Sequence, residues 1–212
     1  MKPPVCALAA APLVVLLVVF TGVLEGRSAS VDSATQAAAK SMESKIQILG
    51  SKDTRPAASY RAVVITTHEA NSYMMVYSGE LLPPGVGVPS ITVQPDHAVV
   101  AGDVDFEKLS RLYPNPNDIG PKILAAMFHG SQHVTIAAGI QSENTGVLLR
   151  IESVTVGSTT VPKWLVDYVI QNVLQPKYHF DLGKPFPYPD HVMRIVLGSG
   201  QVTFLRNPMK RQ

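Results

Sequence analysis

From His133 to Val156, apolar and polar residues alternate on both sides of a turn, and partway along the second limb the alternation slips by one residue. Val134, Ile136, Ala138 and Ile140 share one parity, the two-residue period of a strand with one buried face. Beyond the turn Glu143-Asn144-Thr145-Gly146, Val147, Leu149 and Ile151 keep one parity, whereas Val154 and Val156 take the other. A period of two changes phase only through an extra residue, so the pattern predicts a β-bulge near Glu152-Ser153 that bends and twists the pair. The rest of the chain must therefore pack on a curved antiparallel sheet.

The remaining elements alternate between helices and hairpins. Val31, Ala34, Ala38, Met42, Ile46 and Leu49 recur at steps of three and four, which predicts an amphipathic helix with Asp32 near its start and Gly50 just past its end. Gly50 to Ala58 reads as a loop and Ala62 to Ile65 as a short strand. Thr67 has the chemistry of a helix cap, with Glu69 in the first turn and Ala70, Tyr73, Met74 and Tyr77 on one face; Pro83-Pro84-Gly85 ends the segment. Ser90 to Gln94 and Ala98 to Phe106 read as a hairpin joined by Pro95-Asp96-His97. Glu107 to Leu112 and Ile119 to Phe128 read as short helices around Pro114-Asn115-Pro116-Asn117. Pro162 opens a helix over Lys163 to Leu174 that is apolar around most of its circumference, so it needs cover on more than one side. A proline-laden connection, Pro176 to Pro189, leads to a last hairpin, His191 to Leu197 and Gln201 to Leu205, around Gly198-Ser199-Gly200. The fold class is α+β: a curved antiparallel sheet packed around one or two helices.

An apolar run, Val5 to Leu24, holds the chain's one cysteine, Cys6, and follows Lys2. With Ser28-Ala29-Ser30 beyond it, residues 1–30 have the layout of an export signal peptide or a retained membrane anchor, and both readings stay open. The expected location is extracytoplasmic, periplasmic or secreted, with residues 5–24 as the tether if the leader is kept. No cysteine follows Cys6, so the exported part folds without a disulfide. Residues 31–58 are assigned to the amphipathic helix and linker, and 59–212 to a single α+β domain, long enough to bury its own core. A formal net charge of +2, with scattered Lys and Arg, carries no electrostatic footprint for nucleic acid.

No motif for bond-breaking chemistry has the required spacing. His68-Glu69 begins like a zinc-protease helix, but Ser72 stands where the second histidine would be. His129 and His133 are separated by Gly130-Ser131 and do not share a helix face. Asp103, Asp105 and Glu107 offer oxygen ligands for a hard cation, but equally make a solvated strand face. Gly198-Ser199-Gly200 fits a hairpin turn better than a nucleophile elbow, and G-x-x-x-x-G-K is missing. The expectation is a non-enzymatic protein with no catalytic residues, metal or cofactor.

Ser153-Val154-Thr155-Val156-Gly157-Ser158-Thr159-Thr160-Val161-Pro162 is a strand ending in a small-residue turn, with a Val-Pro step into an apolar helix. With the helix start Thr67-His68-Glu69-Ala70-Asn71-Ser72-Tyr73, it resembles an element of bacterial extracytoplasmic tubular lipid-binding (TULIP-like) envelope proteins, over Ile65 to Leu174 and the last hairpin. The resemblance implies a long curved sheet wrapped around a helix, an apolar groove for acyl chains and no catalytic residues. The proline-rich segment after Gln175 departs from that pattern and puts the far end of such a groove in doubt.

Two functions compete. One is binding of a lipid or other apolar small molecule in a groove lined by Tyr73, Met74, Tyr77, Trp164, Tyr168 and Val169, residues that would equally make a dry core. The other is a scaffold role in a cell-envelope complex, with the wide helix covered by an envelope protein partner. A hydrolase ranks behind both.

Overall fold

The structure is a computed structural model, and it describes residues 32–50, 62–112, 123, 125–143, 145–175, 181–189 and 192–206. The leader Val5 to Leu24, the loop after Gly50, Pro114-Asn115-Pro116-Asn117 and the first part of the proline-rich connection lie outside the described residues. Among the described residues no helix is long and apolar enough to cross a membrane.

Helix α1 (Ser33–Gly50) starts where Asp32 accepts the Thr35 N–H at 2.8 Å, and it buries Ala39, Met42 and Leu49. After β1 (Ala62–Thr66) comes α2 (Thr67–Leu81), whose cap is Thr66, one residue earlier than expected. The shift follows from the capping box: Thr66 and Glu69 stand three apart, so each side chain reaches the other's backbone N–H. Strands β2 (Ser90–Val93) and β3 (His97–Asp105) form the first hairpin, and α3 (Phe106–Arg111) follows directly, capped by Asp105. Of the helix expected over Ile119 to Phe128, residues 123 and 125–128 are described; 123 and 125–127 are helical, and Phe128 lies just beyond the helix in a bend.

The long hairpin is β4 (Ser131–Ser142) and β5 (Gly146–Val156). Ser153 pairs with Ala137 and Ile151 with Ala138, so Glu152 is the extra residue and the bulge lies where the phase slip placed it. The short β6 (Thr159–Thr160) joins one end of β5, and α4 (Lys163–Val169) follows. The helix expected to reach Leu174 as one α-helix instead passes into a π-helical turn, Ile170–Leu174, marked by the five-residue bond from the Gln175 N–H to the Ile170 carbonyl. At the junction Asn172 Nδ2 donates to the Tyr168 carbonyl at 2.9 Å, a side chain competing for a backbone acceptor. Strand β7 (Phe186–Pro187) pairs with the other end of β5, and β8 (Val192–Gly198) and β9 (Gln201–Arg206) close the fold.

Two antiparallel sheets result, one of three strands in the order β1-β9-β8, the other of six: β2-β3-β4-β5-β6, with β7 on β5. At Gly146 the β7 backbone comes so close that a Cβ would overlap the Phe186 carbonyl, which leaves glycine as the residue that fits. The sheets are tied by Ser142, whose hydroxyl donates to the Ile195 carbonyl at 2.7 Å and accepts the Ile195 N–H at 3.2 Å.

Among the described residues the core falls into three clusters. The largest joins α1, α2, the three-stranded sheet and β2, through Met42, Met74, Ile65, Ile91, Ile195 and Phe204 among others. A second gathers Phe106, Phe128, Val156, Val161 and Leu165 around α3 and α4. The third, Ala138, Leu149 and Phe186, lies under β7. Leu165 is 0% exposed, whereas its neighbour Trp164 is 67% exposed. Leu165→Ala is therefore expected to cost about 2–5 kcal/mol of stability, and Trp164→Ala less than about 1 kcal/mol. Urea unfolding followed by far-ultraviolet circular dichroism separates the two; equal losses would show Trp164 to be a core residue.

Candidate functional site

Cross-strand partners in an antiparallel ladder put their side chains on the same face, so the register gives the composition of the inner face of the long sheet. One row across it is Ile91, Val100, Ile136 and Val154; the next is Val93, Ala98, Ala138 and Ile151. On the other side Gly102, Val134 and Val156 form a third row. These three rows contain no charged or hydrogen-bonding side chain.

Cover over this face is uneven. Ile91, Val93, Ala98 and Ala138 are buried, and so is Val156 at the far end, but Val100, Ile136, Val154 and Ile151 between them are only partly buried. Val100 packs against the first cluster, Val154 against the second and Ile151 against the third, while Ile136 belongs to none. A strip centred on Ile136 thus lies between the three clusters, of which the first and third share Ile140 as a packing partner. Apolar surface left there contributes nothing until something covers it, at about 25 cal/mol per Å².

Polar bonds fix the helix at one end of the strip. Asn71 on α2 accepts the Ile91 N–H at 2.7 Å and donates to the Ile91 carbonyl at 2.9 Å, completing the edge of β2 as a further strand residue would. Glu69 on the same helix is 8% exposed, and its carboxylate accepts from Lys45 Nζ and Ser41 Oγ on α1 and from the Thr66 N–H. Burial pushes the Glu69 pKa up, but the bonds from Lys45, Ser41 and Thr66 outweigh it and bring it from 4.5 down to about 2. This carboxylate is a structural clasp between α1 and α2, which removes it from any metal-binding reading of His68-Glu69.

The six side chains expected to line a groove fall into two groups. Met74 is 0% exposed inside the first cluster, and Tyr73 packs on that cluster's surface. The Tyr73 and Tyr77 rings stand 4.7 Å apart, and Tyr77 donates to Glu43 at 3.2 Å; burial first, then the Glu43 charge, raises both phenol pKa values. Val169 packs on the second cluster, Tyr168 is partly buried, and Trp164 points to solvent. Tyr73 and Met74 belong to the first cluster and Val169 to the second, whereas Tyr77, Trp164 and Tyr168 belong to none, and the strip residues Val100, Ile136 and Val154 were not among the candidate lining. Their strand parity was legible, but a partly wet Ile136 has the same sequence signature as a buried one.

Elsewhere, His133 Nδ1 lies 2.9 Å from Asp103 Oδ1 across β3 and β4, while Asp105 accepts the Lys108 N–H at 2.9 Å as a helix cap. The acids weighed from sequence as cation ligands or as a solvated strand face thus have different local partners. Among the described residues no group of three or more His, Cys, Asp or Glu is placed to hold a metal.

No family model and no curated protein matches the sequence. Among solved structures, the crystal structure of a lipopolysaccharide binding protein is similar at 13% sequence identity and a TM-score of 0.24, over 76% of this chain. The chain spans 45% of that protein's chain.

The Glu69 clasp predicts an acid limb in stability. A carboxylate with a depressed pKa stabilises the fold above its unfolded value and loses that contribution as pH falls from about 4.5 through about 2. Glu69→Gln should lower stability at neutral pH by about 1.5–3 kcal/mol and flatten the fall in Tm across that acid window. Parallel melting curves from neutral pH down to the folded pKa provide the check; an unchanged acid limb in the variant would dismiss the clasp as its source.

Proposed function

We propose that this chain is a non-enzymatic, extracytoplasmic envelope protein that holds a lipid acyl chain or another apolar ligand against the uncovered strip of its long sheet. The observation that carries the reading is the apolar inner face of β3, β4 and β5, buried at Ala98, Ala138 and Val156 and only partly covered at Val100, Ile136 and Val154. Helices α2 and α4 flank the strip, because Tyr73 and Val100 pack on one cluster and Val169 and Val154 on the other. Those helices supply Tyr73 and Val169 as walls, with Met74 behind the first. The apolar leader Val5 to Leu24 supports export, and retained it would keep the protein beside the lipid it binds.

Magnitudes set what kind of binding to expect. A chain of about ten methylenes that loses half its surface to the strip gains about 4 kcal/mol, at best a millimolar Kd; one enclosed on all sides gains about 8 kcal/mol, at best a micromolar Kd. Only the enclosed chain survives purification.

With α2 and α4 as walls the proposed site is of the enclosed kind, so native mass spectrometry of gently extracted protein should show an adduct with the mass of a lipid. Ile136→Trp, which fills the strip from its centre, should remove the adduct while lowering stability by no more than about 1–3 kcal/mol. Bare wild-type protein, together with no uptake of added fatty acid, would overturn the proposal.

A further inference from the structure

The extra residue in β5 lies in the wall of the strip. Val154 and Ile151 belong to neighbouring inward rows, three residues apart on β5, while their partners Ile136 and Ala138 are two apart on β4. In extended backbone β5 therefore uses about 10 Å where β4 uses about 6.6 Å, and the surplus is absorbed as bend and twist. On the opposite face Glu152 lies over Gly139, where an added Cβ would come within 2.6 Å of Glu152 Oε1. The absence of a side chain at 139 makes room for the displaced residue.

We infer that the additional residue at Glu152-Ser153 sets the curvature of the strip and thereby the acyl-chain length it accepts. This rests on the reading of the strip as an acyl site and makes the bulge its specificity determinant. The bulge is not needed to keep the inward residues inward. Deleting either Glu152 or Ser153 leaves Val147, Leu149, Ile151, Val154 and Val156 in strict alternation and turns the ladder with β4 into a regular one. Curvature is thus separable from packing by removal of one residue.

The test is a calorimetric titration of saturated fatty acids, octanoate through stearate, into wild type, the two single-residue deletions at 152 and 153, and Glu152→Ala. Both deletions should melt at or above the wild-type temperature and shift the best-bound chain by at least two methylenes, each methylene changing the Kd about fourfold. Glu152→Ala, with the residue count unchanged, should keep the wild-type length profile. A wild-type profile in the deletions would overturn the inference and leave the acyl site standing. Wild type that binds no member of the series would overturn both. A shift in Glu152→Ala as large as in the deletions would also overturn it, by making the carboxylate responsible instead of the extra residue. Failure of both deletions to fold would do so too, because every inward side chain keeps its place.

Discussion

Burial of the inner face of β3, β4 and β5, complete at Ala98, Ala138 and Val156 but not between them, is the constraint that organises the elements packed around it. At one end α2 and the three-stranded sheet bury Ile91 and Val93; at the other α3 and α4 bury Val156. Val100 packs on the first of these cores and Val154 on the second, while Ile136 between them packs on neither. The span between them carries the same kind of side chains, so the strip around Ile136 is apolar for the same reason as the core and wet only because the covering layers stop short.

The ends are not held alike. At the α2 end, the Glu69 clasp and the paired bonds of Asn71 to Ile91 lock two helices and a strand edge with charge-assisted and backbone-like hydrogen bonds. The α4 end has no side-chain cap at Pro162 and changes register into a π turn within seven residues.

Much of this architecture was legible in the residues. The parity slip between Ile151 and Val154 located the bulge, because a two-residue period tolerates no other explanation, and the turn chemistry at Gly198-Ser199-Gly200 located the last hairpin. The cap of α2 was misplaced by one residue because Thr66 and Thr67 are both competent caps; the three-residue distance to Glu69 decides between them. The π turn had no sequence signature, since Ile170 to Leu174 fits an α-helix equally well by composition. Of the candidate lining, Met74 and Trp164 show the limit most clearly: both are large and apolar on a helix, yet one is fully enclosed and the other stands in water. Which of those a residue becomes depends on partners distant in sequence, as does the Ser142 tie to Ile195 across 53 positions.

The solvent position of Trp164 has a spectroscopic consequence, because it is the sole indole of the chain. Its emission in the native protein should resemble that of an unfolded chain, which would leave tryptophan fluorescence nearly blind to global unfolding. The same signal is a background-free reporter of anything that settles on the first turn of α4.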